Sequence, residues 1–160
     1  MKIVQLDKLT LHQTIALRNK VFPVLEPLEE ETLMASVYPN NYISWYKDVE
    51  IGELNYWVGC GDDLIVKGLV GLYTEVEVKK TKAWLGWFCV DPKYRGENIG
   101  SHLLNFALKE AKDRGYKEIH LYTTEEREYM RARIMYEKKG FTQYKFIKED
   151  EMIWYKKKLG

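Results

Sequence analysis

The residues that most invite chemistry lie where an apolar run breaks off, at Val90-Asp91-Pro92-Lys93-Tyr94-Arg95-Gly96-Glu97-Asn98-Ile99-Gly100-Ser101. Proline has no N–H to give a ladder, so Asp91-Pro92 ends a strand. A helical spacing of apolar residues then begins, with Ile99, Leu103, Phe106, Ala107 and Ala111 on one stripe. It predicts a helix over about 97–114, closed by Gly115. The first amides of such a helix have no acceptor inside it and carry the positive end of its dipole. Gly96 and Gly100 let a bulky anion approach that backbone, and Arg95 adds a full charge beside it. A phosphate or pyrophosphate suits the place. A helix start that uses glycine only for packing fits the same residues. No Gly-Lys-Ser/Thr follows, which excludes a P-loop, and the dinucleotide spacing Gly-x-Gly-x-x-Gly is absent.

Other elements must hold this join in place. Residues 2–6 alternate as a short strand. Thr10 is placed to cap a helix whose stripe includes Leu11, Ile15, Leu17, Val21 and Phe22, and Pro23 ends it. Between 24 and 50, Glu-rich helical propensity gives way to Tyr38-Pro39-Asn40-Asn41 and then to Tyr42, Trp45 and Tyr46. A short helix followed by a loop with exposed rings is expected. From Asn55 the period becomes two: a strand over 55–60, a turn at Gly61-Asp62-Asp63, and a strand over 64–78. Along the latter, Val70, Leu72, Thr74, Val76 and Val78 share one face, and Gly71, Tyr73, Glu75 and Glu77 the other. Residues 83–90 are apolar on both faces and so belong mid-sheet. A strand over 117–123, a helix over 126–139 stopped by Gly140, and strands over 141–146 and 152–155 follow. The result is an α/β chain with a mixed sheet of about seven strands and helices on its faces.

Length and charge exclude several classes. A chain of 160 residues with 46% apolar composition is one domain's worth, so residues 1–160 are expected to form one unit. A net charge of +1 gives no electrostatic case for a nucleic-acid or membrane partner. The longest apolar run, 83–90, is far short of the roughly 20 residues that span a bilayer. Cys60 and Cys89, far apart and without a signal peptide, predict two reduced thiols in a cytoplasmic protein. His12, His102 and His120 show no metal-ligand spacing, and no metal is expected. Cys89 has no histidine nearby in sequence and reads as a buried small hydrophobe rather than a nucleophile.

Residues 90–100 resemble the acyl-CoA-binding motif of the GNAT superfamily of N-acyltransferases. That motif is Arg/Gln-x-x-Gly-x-Gly/Ala, preceded by Val-x-Pro on the fourth strand. Ala132-Arg133-Ile134-Met135-Tyr136-Glu137-Lys138-Lys139-Gly140-Phe141 resembles the family's second signature, Ala-x-x-x-Tyr-Glu-Lys-x-Gly-Phe. The chain departs from the pattern twice. Asn98 stands where the middle Gly is usual, and Tyr129, seven before Tyr136, stands where an Asn is often found. The resemblance implies a GNAT-like fold whose fourth and fifth strands splay apart beyond Val90. It implies acetyl-CoA as acyl donor and a primary amine as acceptor, meeting in a ternary complex.

Residue by residue, the resemblance implies that the amides of Arg95, Gly96, Glu97, Asn98, Ile99, Gly100 and Ser101 cradle the pyrophosphate. The pantetheine arm would run past Cys89 and pair with Val90, with Tyr129, Ala132 and Tyr136 flanking it. The Val90 amide would meet the thioester carbonyl, and Tyr136 would protonate the departing thiolate. Family members often carry a basic Glu on the fourth strand, but Trp84-Leu85-Gly86-Trp87-Phe88-Cys89 contains none. Glu75 and Glu77 on the neighbouring strand are the nearest candidates, although alternating strand charges that merely face water fit them equally. Glu26, Glu29, Glu30 and Glu31, with Tyr38, Tyr42, Trp45 and Tyr46, occupy the segment that shapes the acceptor side. They predict a cationic, polyamine-like acceptor; a solvated helix with its rings packed inward is the alternative. A catalytically silent acyl-CoA sensor is the competing function, and the exposed rings and final strands would support a homodimer.

Overall fold

Side-chain alternation along the strands builds two cores on opposite faces of one sheet. The computed structural model describes residues 1–22, 27–76 and 81–160, with the backbone alone for 27–30. The strands are β1 (Lys2–Gln5), β2 (Ile51–Cys60), β3 (Val66–Glu75), β4 (Lys82–Leu85), β5 (Cys89–Val90), β6 (Glu118–Thr124), β7 (Thr142–Ile147) and β8 (Met152–Lys158). The helices are α1 (Leu11–Val21), α2 (Pro27–Val37), α3 (Ile43–Asp48), α4 (Ile99–Asp113) and α5 (Met130–Lys138). The sheet runs β1-β2-β3-β4-β6-β8-β7, with β5 also on β3, and β4–β6 is its parallel pair.

One face carries Val70, Leu72, Ala83, Ile119 and Leu121 against Leu103, Leu104 and Ala107 of α4. The other carries Tyr56, Val58, Leu69 and Cys89 against α1, α2 and α3. The rings expected on an exposed loop are largely in this second core. Trp45 is buried and Tyr42 and Tyr46 are half-buried, because residues 43–48 form a helix that turns them inward; Tyr38 stays exposed. Thr10 stands at the N-cap of α1, yet Asp7 serves as the side-chain acceptor there, with its Oδ1 taking the Leu9 and Thr10 N–H at 2.9 and 3.1 Å. The strand expected over 64–78 runs 66–75, and Glu77 and Val78 lie outside the described residues.

The strand expected over 83–90 is interrupted. Leu72 stands opposite Leu85 and Leu69 opposite Cys89, so two residues of β3 face the three residues 86–88. That is a one-residue bulge, which bends a strand and increases its twist. Tyr56, opposite Gly71 on β2, lays its ring across β3, and its hydroxyl accepts the Trp87 N–H at 3.2 Å. A Cβ at Gly71 would lie 2.2 Å from that ring.

Pairing of β4 with β6 ends at Trp84–His120, although β6 continues to Thr124 beside β8. The splay therefore begins six residues before Val90 and not beyond it, because the bulged chain stays with β3 while β6 stays with β8. Asp91 donates its N–H to Lys67 O at 2.8 Å. In an antiparallel pair, alternate residues bond the partner, so Val90 turns its N–H away from β3, toward the gap.

The Gly71 contact gives a stability prediction. Gly71→Ala should cost about 1–3 kcal/mol by overpacking against Tyr56, read as a lower denaturant midpoint at unchanged slope. An unchanged midpoint would show that the ring does not occupy this place.

Candidate functional site

The parting of β5 and β6 leaves a cavity of about 450 Å³. Leu121, Tyr122, Thr123 and Thr124 all line it. Successive strand residues point to opposite faces, so the cavity opens through the sheet. On the α4 side it is lined by Arg95, Gly96, Asn98, Ile99, Gly100 and Ser101, and by Ala132, Met135 and Tyr136 of α5. Cys89, Val90 and Tyr129 also line it. Glu97 does not; it is exposed in the turn between Gly96 and Asn98. Glu75 is exposed at the end of β3, outside the lining, and Glu77 lies outside the described residues.

The join before α4 is shaped by two left-handed residues, Gly96 at φ 89° and Asn98 at φ 61°. A Cβ at Gly96 would touch nothing within 4 Å, so conformation rather than space calls for glycine there. Asparagine tolerates the left-handed region better than most residues, and Asn98 takes it as the N-cap of α4. Gly100 answers a packing demand: its Cβ would come 3.1 Å from Met135 Cε and 3.4 Å from Val90 Cγ2. The 15-residue helix thus aims its free amides into the cavity, with Arg95 and Arg131 at the rim. Asp91 pins the turn to α1 through Lys20 at 3.0 Å and accepts the Lys93 N–H at 3.0 Å. Burial pushes its carboxyl upward, but these partners outweigh that and hold it below the usual range.

Tyr136 is buried, with its ring centroid 6.1 Å from Phe88, 5.8 Å from Phe141 and 6.1 Å from Tyr155. Burial, with smaller contributions from Cys89 and Tyr155, pushes its phenol well above the ordinary value, so it keeps its proton. Burial also pushes the Cys89 thiol up to about 12, against a weaker opposite pull from Arg18. A thiol so placed is not a nucleophile.

The mouth on the α1 side is aromatic. Phe22 packs on Trp87 with centroids 4.9 Å apart and stacks on Tyr129 at 6.0 Å, so rings from both lips meet. Arg18, fully buried, holds its guanidinium 4.2 Å from the Trp87 ring and donates to Phe22 O at 3.0 Å. Tyr122, exposed, adjoins Trp84 and Trp154, each at 6.2 Å. Tyr73 stacks on Trp84, and burial first, then Tyr122, Tyr56 and Glu75, raises its phenol; Glu75, two residues further along β3, shares this face by strand alternation. Sequence reasoning missed Phe22, Trp87, Tyr122 and Met152 as lining residues. For Tyr122 the period-two pattern of β6 carried a signal; for Trp87 the bulge hid it.

The acetyltransferase (GNAT) domain family matches residues 52–143 of the chain. No curated protein matches it in sequence. Among solved structures, it is similar to the PaiA N-acetyltransferase from Thermoplasma acidophilum in complex with coenzyme A (20% identity, TM-score 0.69, 98% of both chains). It is also similar to the aminoglycoside 6'-N-acetyltransferase from Enterococcus faecium (19% identity, TM-score 0.73, 100% of this chain and 98% of that one). A third is the ribosomal-protein-S18-alanine N-acetyltransferase from Escherichia coli (16% identity, TM-score 0.72, 99% of this chain and 94% of that one). At these identities the structural likeness speaks to fold.

Cys60 and Cys89 are both free and buried. A thiol-reactive disulfide reagent at neutral pH should therefore titrate neither in the native protein and both after denaturation. Rapid native labelling of Cys89 would contradict the raised thiol.

Proposed function

This chain belongs to the GNAT acetyltransferase family, and we propose that it carries an acetyl group from acetyl-CoA to a primary amine of a small molecule or a protein by direct attack. It is an acyl-CoA-dependent N-acetyltransferase. The observation that carries the finer reading is the Val90 N–H, freed from β3 by register and from β6 by the splay, at the floor of a cavity that pierces the sheet.

The residues fit the donor in parts. The amides that open α4 and the charges of Arg95 and Arg131 suit a diphosphate. The slot beside Val90 suits a pantetheine arm pairing as an added strand. Acetyl-CoA supplies the thioester. The Val90 N–H holds the carbonyl oxygen and stabilises the charge it gains as the amine nitrogen bonds to carbon. Tyr136 gives its proton to the sulfur as the carbon–sulfur bond breaks. Burial keeps the proton on Tyr136 until the sulfur anion forms, and the same surroundings raise that anion's affinity for a proton, as they raise the Cys89 thiol. Glu75, on the face where the α1-side mouth opens, is our candidate to receive the amine's proton by way of water.

The acceptor enters from the α1 side, past Phe22, Tyr122 and Tyr129, whose ring faces favour an alkylammonium body. Of the four carboxylates expected to select a cation, Glu31 alone has its side chain among the described residues. Glu26 lies outside the described residues, as do the side chains of Glu29 and Glu30.

Calorimetry should show saturable acetyl-CoA binding, and its absence would remove the donor. Tyr136→Phe should lower kcat about tenfold to a hundredfold while acetyl-CoA still binds; unchanged turnover would end that assignment. Glu75→Gln should lower turnover near neutrality and recover it toward high pH, where the amine arrives neutral. A flat profile equal to wild type would end the base role. Binding without transfer to any amine would make the protein a sensor instead.

A further inference from the structure

We propose that Tyr56 is a positioning residue for the transfer: by holding the Trp87 amide, its hydroxyl fixes the extra residue of the bulge and so aims the Val90 N–H into the cavity. The proposal rests on reading Val90 as the donor to the thioester carbonyl.

Register shows why the bulge matters. In the pairs before it, β3 and β4 stand as Leu72–Leu85 and Tyr73–Trp84. Continued without an extra residue, that ladder would set Val90 opposite Lys67. Val90 would then give its N–H to Lys67 O, as Asp91 does now at 2.8 Å. One added residue exchanges the two, because alternate amides face opposite edges of a strand. The N–H at the floor of the cavity is therefore free because the bulge exists.

The bulge has a cost that something must meet. Gly86 still donates to Gly71 O at 2.8 Å, and β3 has no further carbonyl in register for the next amide. A buried N–H without an acceptor is strongly disfavoured. Tyr56 supplies the acceptor from two strands away, at 3.2 Å from Trp87 N.

Two missing side chains let it reach. A Cβ at Gly71 would stand 2.2 Å from Tyr56 Cε1, and one at Gly86 would stand 2.6 Å from the hydroxyl oxygen. Tyr56 is 2% exposed, so the ring has no room to point elsewhere. The Trp87 side chain is held in turn by Arg18 and Phe22 of the α1 segment.

The test is isotope-edited infrared spectroscopy of acetyl-CoA labelled at the thioester carbonyl, bound to wild type, Tyr56→Phe and Val58→Ala. Phenylalanine keeps the ring between Gly71 and Gly86 and removes only the hydroxyl. Val58, fully buried on the same strand and in the same core, is the stability control. Wild type should lower the carbonyl frequency on binding. Tyr56→Phe should lose at least about half of that shift and about tenfold in kcat, with CoA affinity and the KM for acetyl-CoA within about twofold. Val58→Ala should melt at lower temperature and keep the full shift. A full shift in Tyr56→Phe, or equal losses in both variants, overturns the role of Tyr56 alone. No shift in wild type overturns the Val90 reading and this inference with it.

Discussion

A pair of neighbouring strands that stop pairing mid-sheet is the constraint on which the molecule depends. Every buried backbone N–H and C=O left without a partner costs about 1–3 kcal/mol, so a gap in a sheet does not persist unless each lip is held from behind. Here β5 is held by β3, and β6 is bonded to β8 along all seven of its residues. Into the gap α4 sends its unpaired amides, and α5 sets Met135 against Gly100 and the Tyr136 ring against Phe88. The backbone groups left over line a cavity rather than lying in apolar packing. A ligand with a carbonyl and a diphosphate offers them what a neighbouring strand would have offered.

Low-dielectric surroundings do two different jobs on two titratable groups that line the gap. Desolvation keeps both Cys89 and Tyr136 protonated. For the thiol this means silence, since only the thiolate attacks. For the phenol it means that the proton stays in place, as the acid role proposed for it requires. His120, where β4 and β6 last pair, is also kept neutral by burial and then by Lys82, and its Nδ1 shares a hydrogen with the Tyr144 hydroxyl at 2.9 Å. Apart from the buried Arg18 beside Trp87, the charged groups named here lie at the rim: Arg95 and Arg131 at the cavity edge, and Lys20 on Asp91.

Much of this was legible in the sequence, and what was legible was local. Asp91-Pro92, the glycine pair and the apolar stripe from Ile99 fix a strand end and a helix start through near neighbours alone, and Gly96 and Asn98 have the backbone freedom their φ values demand. The break at 86–88 was hidden, because an uninterrupted apolar run looks the same whether or not one residue is extra. What decides it is Tyr56, some thirty positions earlier in the chain, together with the missing Cβ of Gly71. The position of the splay was hidden for the same reason, since it follows from where the bulge sends the chain. Trp45 and Tyr46 were misplaced because a six-residue helix has too few turns to display a buried stripe.

The two faces of the sheet divide the work. In the proposed reaction, grip on a diphosphate falls to the α4–α5 face and would rest largely on backbone amides, which tolerate exchange of side chains. In that reaction, aim at the carbonyl would fall to the other core, where Tyr56 crosses β3 and Arg18 and Phe22 brace Trp87. The mouth proposed for the acceptor takes Phe22 and Trp87 from that same core and Tyr129 from the segment before α5. A change in α1 that widens the mouth would therefore also loosen the residue at the apex of the bulge. In the proposed reaction, acceptor choice and carbonyl alignment are linked through Trp87, and α1 reaches the donor's turn separately, through Lys20 on Asp91. Variation at Arg18 and Phe22, away from Lys20, should thus be felt in turnover before it is felt in binding of the coenzyme.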